Sequence, residues 1–323
     1  MEEIQKVLVV GAGVMGHGIA QVFAQHCLNV ILVDRKEALL QRAREWIREN
    51  LRFMVELDEI KDHQVKPILH RIRFQTDMHS AAKEADYVLE AITEDLDLKK
   101  PLFQQLGAVC SGNVILASNT SSFDIGEFSR VTRHPERVIG THWFHPPPIT
   151  PCVEVIPAES TSQSTIDQTL AFLERMGKYP TVCKNAPGFV ANRIQFAMVA
   201  EALAIVEEGL ASPKEVDRIV RSSFGFRLSA YGPFEIADQA GLDTYRSIFQ
   251  YLYDKLKKEQ FRPSPLLDRL VDQRKLGLKN EKGFYEYRSE EVQETKKQRD
   301  RKLYRRLRLF RDERIKERRS FNE

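Results

Sequence analysis

The residues of this chain that could do chemistry gather first around a glycine turn. Gly11-Ala-Gly13-Val-Met-Gly16 follows the aliphatic run Lys6–Val10 and opens an apolar helical segment with Ile19, Ala20, Val22 and Phe23. In such a turn Gly11 permits the tight bend, Gly13 leaves room for a pyrophosphate against the backbone, and Gly16 lets helix and strand lie close. The start of the helix, at Val14 and Met15, then offers unpaired N–H groups and a partial positive charge to phosphate. Asp34 ends the next strand-like run, 23 residues past Gly11. A carboxylate there accepts hydrogen bonds from ribose hydroxyls and repels a 2′-phosphate, which predicts NAD rather than NADP. Arg35 and Lys36 stand beside it and act against that repulsion.

A dinucleotide site does not name a reaction. Oxidising an alcohol by hydride transfer also releases a proton, so a base or a metal is needed near the hydroxyl. The four cysteines (Cys27, Cys110, Cys152, Cys183) are far apart, and no Cys/His/Asp cluster has metal-ligand spacing. A histidine base is therefore the natural expectation. His142 closes a strand-like run where the ligand crevice of an open α/β sheet should lie. His145 forms a His-x-x-His pair with it, but three prolines follow directly and no third ligand is evident, so no metal is expected.

Strands must hold these residues. Lys6–Val10, Val30–Val33, Tyr87–Ile92, Val114–Ser118, Val138–His142 and Cys152–Ile156 read as strands, separated by amphipathic stretches such as Glu37 to Val55 that read as helices. Alternation of this kind predicts a doubly wound, mostly parallel α/β sheet covered on both faces. Near Asn185–Gly188 the texture becomes helical, with Phe189–Leu210 periodic and Ser212–Pro213 placed to open a further helix. The expected organisation is a NAD-binding domain over 1–184, a smaller all-α substrate and dimerisation domain over 185–288, and a basic helical tail over 289–323.

Composition sets outer limits. With 42% hydrophobic and 29% charged residues, the chain is an ordinary globular one. No apolar run approaches the length of a membrane span, so no membrane partner is expected. The opening MEEIQKVLVV lacks a signal-peptide layout, and with the scattered cysteines it predicts a cytoplasmic protein. The net charge of +3 is uneven: residues 289–323 hold 13 Lys/Arg and 8 Asp/Glu, a net of +5, leaving about −2 for the rest. Acids at Asp300, Asp312, Glu313 and Glu317 interleave with the bases, which marks a solvated face rather than a nucleic-acid site. Leu303, Leu307 and Phe310 share one face of that helix and predict packing on the chain's own body or on a second subunit.

Eight segments carry a wider likeness: GAGVMGHGIAQ (11–21), LEAITEDLDLKK (89–100), SNTSS (118–122), THWFHPPP (141–148), VEVI (153–156), APGFVANR (186–193), GPFEIADQAGLDT (232–244) and GFYEY (283–287). In order and spacing they resemble the short L-3-hydroxyacyl-CoA dehydrogenase family over residues 4 to 288. The resemblance implies a Rossmann-type first domain and NAD-dependent oxidation of an L-3-hydroxyacyl-CoA, such as 3-hydroxybutyryl-CoA, to the 3-keto compound. It makes His142 the base that removes the 3-hydroxyl proton and Glu154 the group that orients its imidazole. It assigns Ser121 and Asn192 to the reacting oxygen, with Asn192 on the helical domain so that the site closes between domains. It brings Glu94, Lys99, Ser121 and Lys279 to the dinucleotide, puts His145 beside the nicotinamide, and implies a homodimer built through the helical domain. Lys99 also has a plainer reading, as an exposed ion-pair partner of the nearby acids, worth under ~1 kcal/mol.

Departures bear on the substrate. The family usually has Asn at His145 and Gly at Glu281. Members that use CoA place a Ser and a Lys after the second strand, where this chain has Asn50 and Leu57 amid Glu56, Asp58 and Glu59. An acidic neighbourhood is a poor receptor for CoA's phosphates. The PPPITP stretch is closer to the branch acting on free hydroxy acids, such as carnitine and gulonate dehydrogenases and the lens lambda-crystallins. A free 3-hydroxy acid is therefore the alternative substrate. A purely structural role is a remote third, countered by the intact His142, Glu154, Ser121 and Asn192.

Overall fold

Residues that alternate between two buried layers build the sheet. In the computed structural model, which describes residues 4–288, 290 and 292–320, the strands are β1 (Lys6–Val10), β2 (Asn29–Val33), β3 (Ile72–Gln75), β4 (Tyr87–Glu90), β5 (Ile115–Ser118), β6 (Val138–Trp143), β7 (Cys152–Pro157) and β8 (Tyr179–Val182). Their spatial order is β3-β2-β1-β4-β5-β6-β7-β8. Strands β1 to β6 pair in parallel, β7 returns antiparallel to β6, and β8 runs parallel to β7. In β1, Val7 and Val9 enter one core layer while Leu8 and Val10 enter the other. Helices α1 (Val14–Gln25), α2 (Glu37–Glu56) and α3 (Asp62–His70) cover the first layer, joined by α7 (Gln163–Arg175). Helices α4 (Met78–Glu84), α5 (Leu96–Val109) and α6 (Gly126–Ser129) cover the second. Burial on both faces is what a parallel sheet requires.

The six expected strands are present with their ends displaced by at most two residues. Strands β3 and β8 were not anticipated. Both are edge strands of four residues, IRFQ and YPTV. An edge strand is half-covered, so it needs no aliphatic run, and Pro180 costs no interior ladder bond there.

The chain divides into two compact units, the first running to Val199 and the second starting at Ala200. α8 (Ala191–Glu207) begins in the first, and its start lies two residues later than the periodicity suggested. The second unit holds α9 (Pro213–Ser222), α10 (Phe224–Leu228), α11 (Pro233–Ala240), α12 (Leu242–Leu256), α13 (Pro265–Asp272) and α14 (Val292–Ser320). Ser212 caps α9 as expected: its Oγ accepts from Glu215 N while the Glu215 carboxylate accepts from Ser212 N at 2.8 Å. Leu242, Leu267 and Val271 form a small core with Ala237. Beside it, buried Asp238 accepts from Phe284 N, Tyr285 N and the Tyr287 hydroxyl, tying the GFYEY segment to α11. Glu281 sits in the left-handed region at φ 69°, a conformation that Gly adopts without cost.

Residues Val292–Ser320 form one helix, α14. Leu303, Leu307 and Phe310 are half-buried, whereas Tyr304 and Leu309 are exposed. The Phe310 ring meets Phe226 edge-on at 5.9 Å, the Arg306 Nε donates to Ser229 O at 2.9 Å, and Lys302 lies over Tyr231. Through Phe310, Arg306 and Lys302 the tail thus meets the region of α10 in its own unit. No described helix is long and apolar enough to cross a membrane.

Candidate active site

The sheet order reverses between β1 and β4, and the crevice at such a switch point is where open α/β sheets bind ligands. A cleft of about 610 Å³ lies there, lined by Gly11, Gly13, Asp34, Arg35, Lys36 and Thr76 among others. It shares Gly13, Ala91, Ile92 and Thr93 with a second pocket of about 470 Å³, lined by Val14, Met15, Glu94, Ser121, His142 and His145. An elongated ligand can therefore run from Asp34 over the glycine turn to His142.

The glycines divide the labour as the turn demands. Gly11 has φ 106°, and a Cβ there would lie 2.5 Å from the carbonyl oxygen of Ala91. A Cβ on Gly16 would overlap the carbonyl of Gly11. Gly13 has nothing within 4 Å of its Cβ direction, so open space lies over the N-terminus of α1. No side chain caps that helix, whose first N–H groups face the space. An uncapped helix N-terminus with open space over it can receive a phosphate group. Asp34 braces the turn: one carboxylate oxygen accepts from Ala12 N at 2.9 Å and the other from Lys36 N at 3.1 Å.

At the other end, the antiparallel return of β7 sets Glu154 directly opposite His142. Facing residues of such a pair project from the same side of the sheet. The His142 Nδ1 lies 2.8 Å from Glu154 Oε2. The second carboxylate oxygen, Oε1, accepts from Val190 N at 3.0 Å and Ala191 N at 2.8 Å, at the start of α8. Burial alone would raise the Glu154 carboxyl; the bonds from His142, Ala191 and Val190 outweigh it and hold the group below its ordinary value. Both side chains are buried, and Nε2 is left as the imidazole's acceptor in the pocket that its ring lines.

Ser121 and Asn192 meet directly, the Asn192 amide donating to the Ser121 carbonyl at 3.0 Å. Glu94 holds the same loop, accepting from Thr120 Oγ1 at 2.6 Å and Ser121 N at 2.9 Å. Lys99 is not the exposed ion-pair partner of the plainer reading. It is 0% exposed, with its ammonium 2.6 Å from Glu90 and 3.1 Å from Glu94. Glu90 also accepts from Ser118 Oγ and Ile92 N, so each buried charge is paired and hydrogen-bonded. Removing one member of such a set costs ~3–5 kcal/mol, because it strands the other. Lys279 belongs to the second unit, where its ammonium pairs with Asp243 at 2.7 Å.

Sequence reasoning missed Glu90 and Asn119. Asn119 lines the pocket, and its Oδ1 accepts from Trp143 N at 2.9 Å, tying the end of β6 to the loop after β5. The signal for Glu90 was an acid at the end of an aliphatic strand, where a buried cation must answer it. Among the described residues, no three His, Cys, Asp or Glu side chains are grouped to hold a metal.

Comparison with known proteins accounts for nearly all of the chain. Residues 6–186 match the family model described as 3-hydroxyacyl-CoA dehydrogenase, NAD binding domain, and residues 188–287 match the C-terminal domain of the same family. A probable 3-hydroxybutyryl-CoA dehydrogenase of Deinococcus radiodurans is 39% identical over 279 residues, 86% of this chain and 99% of that protein. The mitochondrial hydroxyacyl-coenzyme A dehydrogenase of Rattus norvegicus is 38% identical over 88% of this chain and 92% of its own length. The crystal structure of a 3-hydroxyacyl-CoA dehydrogenase from Archaeoglobus fulgidus superposes with a TM-score of 0.79 at 31% identity, covering 95% of this chain and 99% of that one.

Proposed function

The chain belongs to the 3-hydroxyacyl-CoA dehydrogenase family, and from that premise we propose that it oxidises an L-3-hydroxyacyl-CoA, such as 3-hydroxybutyryl-CoA, to the 3-keto compound. The observation that carries the reading is the His142–Glu154 pair at 2.8 Å, set at the pocket that joins the dinucleotide cleft. NAD, held by Gly11, Gly13, Val14, Met15, Gly16 and Asp34, supplies the hydride acceptor. His142 takes the hydroxyl proton on Nε2. Glu154 fixes the tautomer that leaves Nε2 free and stabilises the imidazolium once it forms. Ser121 and Asn192 hold the reacting oxygen, and Glu94 holds Ser121. Lys99 acts through Glu94, and His145 closes the rim. We assign Lys279 to the dinucleotide on the resemblance alone.

A homodimer is part of the proposal. α8 leaves Ile194, Phe196, Met198 and Leu203 exposed around more than one side of the helix, apolar surface of the kind that a second copy covers. The domain limits proposed are those expected from the sequence, 1–184 and 185–288, with the tail beyond.

A small free 3-hydroxy acid, carnitine- or gulonate-like, is the second reading. The end of α2 favours it, where Phe53 and Leu57 are exposed together with Glu56, Asp58 and Glu59. Comparing NADH formation from 3-hydroxybutyryl-CoA, carnitine, gulonate and free 3-hydroxybutyrate decides between them. The CoA ester should lead in kcat/KM by about tenfold or more. Preference for a free acid overturns the first reading.

A further inference from the structure

Lys178 is a buried cation to which the reaction above gives no task. It follows the turn at Gly177, immediately precedes β8 and is 8% exposed. Its ammonium donates to two backbone carbonyls, Pro147 O at 2.6 Å and Thr150 O at 2.9 Å, and to no carboxylate among the described residues. The same Nζ lies 5.4 Å from the centroid of the Trp143 ring. Burying an ammonium without an anion is costly unless dipoles replace its water. Here burial lowers the group below the ordinary lysine range, and the two carbonyls and the ring are what hold it.

All three partners lie on one stretch of chain. Trp143 directly follows His142, and Pro147 and Thr150 lie just beyond His145. The stretch is gripped from its other side too: Pro147 packs on α1 at Gly18, where a Cβ would come within 3.1 Å of it. Tyr179 N adds a bond to Pro151 O at 2.9 Å. Between these anchors stand Phe144, whose ring centroid is 4.4 Å from that of His142, and His145, which lines the pocket.

We infer that Lys178 is a positioning residue: by pinning Trp143 and the Pro147–Thr150 turn, it fixes where Phe144 and His145 stand against His142. The inference rests on the proposed role of this pocket, so its test needs a measurement that is independent of any substrate. AMP reports on the cleft at Asp34, whereas NADH also reaches the pocket at His145. Lys178→Met keeps the apolar stem and removes the donors. It should leave AMP affinity within about twofold, weaken NADH about tenfold and lower kcat at least about tenfold, since displacements near 1 Å carry such penalties. Lys178→Arg restores a cation and should recover part of both losses. A Met variant that melts like the wild type and keeps NADH affinity and kcat overturns the inference. Equal loss of AMP and NADH affinity, the mark of general loosening, also overturns it. If the Met variant does not fold, Gly18→Ala decides, because its methyl presses on Pro147 from the opposite side. NADH affinity and kcat should then fall together with AMP spared, and no change in either overturns the inference. A wild type inactive on every 3-hydroxy substrate, with selective NADH loss in the Met variant, would refute the reaction and leave the role of Lys178 standing.

Discussion

In the proposed reaction His142 accepts the proton on Nε2, because Nδ1 is engaged with Glu154 at 2.8 Å. Removing either member disables the same event, so their effects should not add. His142→Gln should lower kcat by about 10²–10⁴ with NAD affinity barely moved. Glu154→Gln should cost nearly as much, and the double variant little more than the worse single one. Rates that multiply across the cycle would refute a dyad. Glu154 makes a separate prediction in acid. Its carboxyl lies below the ordinary value of 4.5 in the folded protein, so its stabilisation is complete above that value and is lost as pH falls through the folded one. The melting-temperature gap between wild type and Glu154→Gln should therefore narrow on acidification below 4.5; a gap that is constant with pH would show that the carboxylate charge is not what stabilises. His142 could be read from the sequence because a strand end and the need for a base converge on it. Glu154 came only with the resemblance, because an antiparallel register that sets residues twelve apart face to face leaves no local trace.

The β1–α1 unit makes opposite predictions for two glycines that a motif treats alike. At Gly16 a methyl would collide with the Gly11 carbonyl, so Gly16→Ala must push α1 off β1 and should lower both the melting temperature and NAD affinity. At Gly13 a methyl meets nothing, so Gly13→Ala should melt like the wild type and yet lose most NAD affinity, because the methyl fills the phosphate cradle. Calorimetric melting with NAD titration checks both, and a Gly13→Ala protein with normal NAD affinity would show that the cradle lies elsewhere. The turn was legible because backbone sterics leave a mark in residue type. The central strands were legible for a related reason, since burial on both faces forces aliphatic runs. Strands β3 and β8 escaped because an edge relaxes that demand. The buried Glu90–Lys99 set escaped differently: an acid-rich helix start looks the same on the page whether its lysine points outward or into the core.

The chain as a whole carries a segment beyond the family-model matches, which end at residue 287. The net +5 of residues 289–323 invites an electrostatic role, but the placement of α14 supports a mechanical one. Phe310 on Phe226, Lys302 on Tyr231 and Arg306 on Ser229 attach it to its own unit. One aromatic pair, one cation–π contact and the exposed pair of hydrogen bonds from Arg306 to Ser229 O amount to roughly 1–3 kcal/mol after solvent screening. In a protein of this size each kcal/mol shifts the melting temperature by about 2–4 °C. Truncation after Tyr287 should therefore lower it by several degrees while NAD affinity holds, because every residue assigned to the cofactor precedes the cut. The proposed dimer should survive as well, since the apolar surface assigned to it lies on α8 rather than on α14. Light scattering on the truncated protein tests that separation: a monomer would place the tail in the assembly contact, and an unchanged melting temperature would show that the stripe of Leu303, Leu307 and Phe310 stabilises nothing.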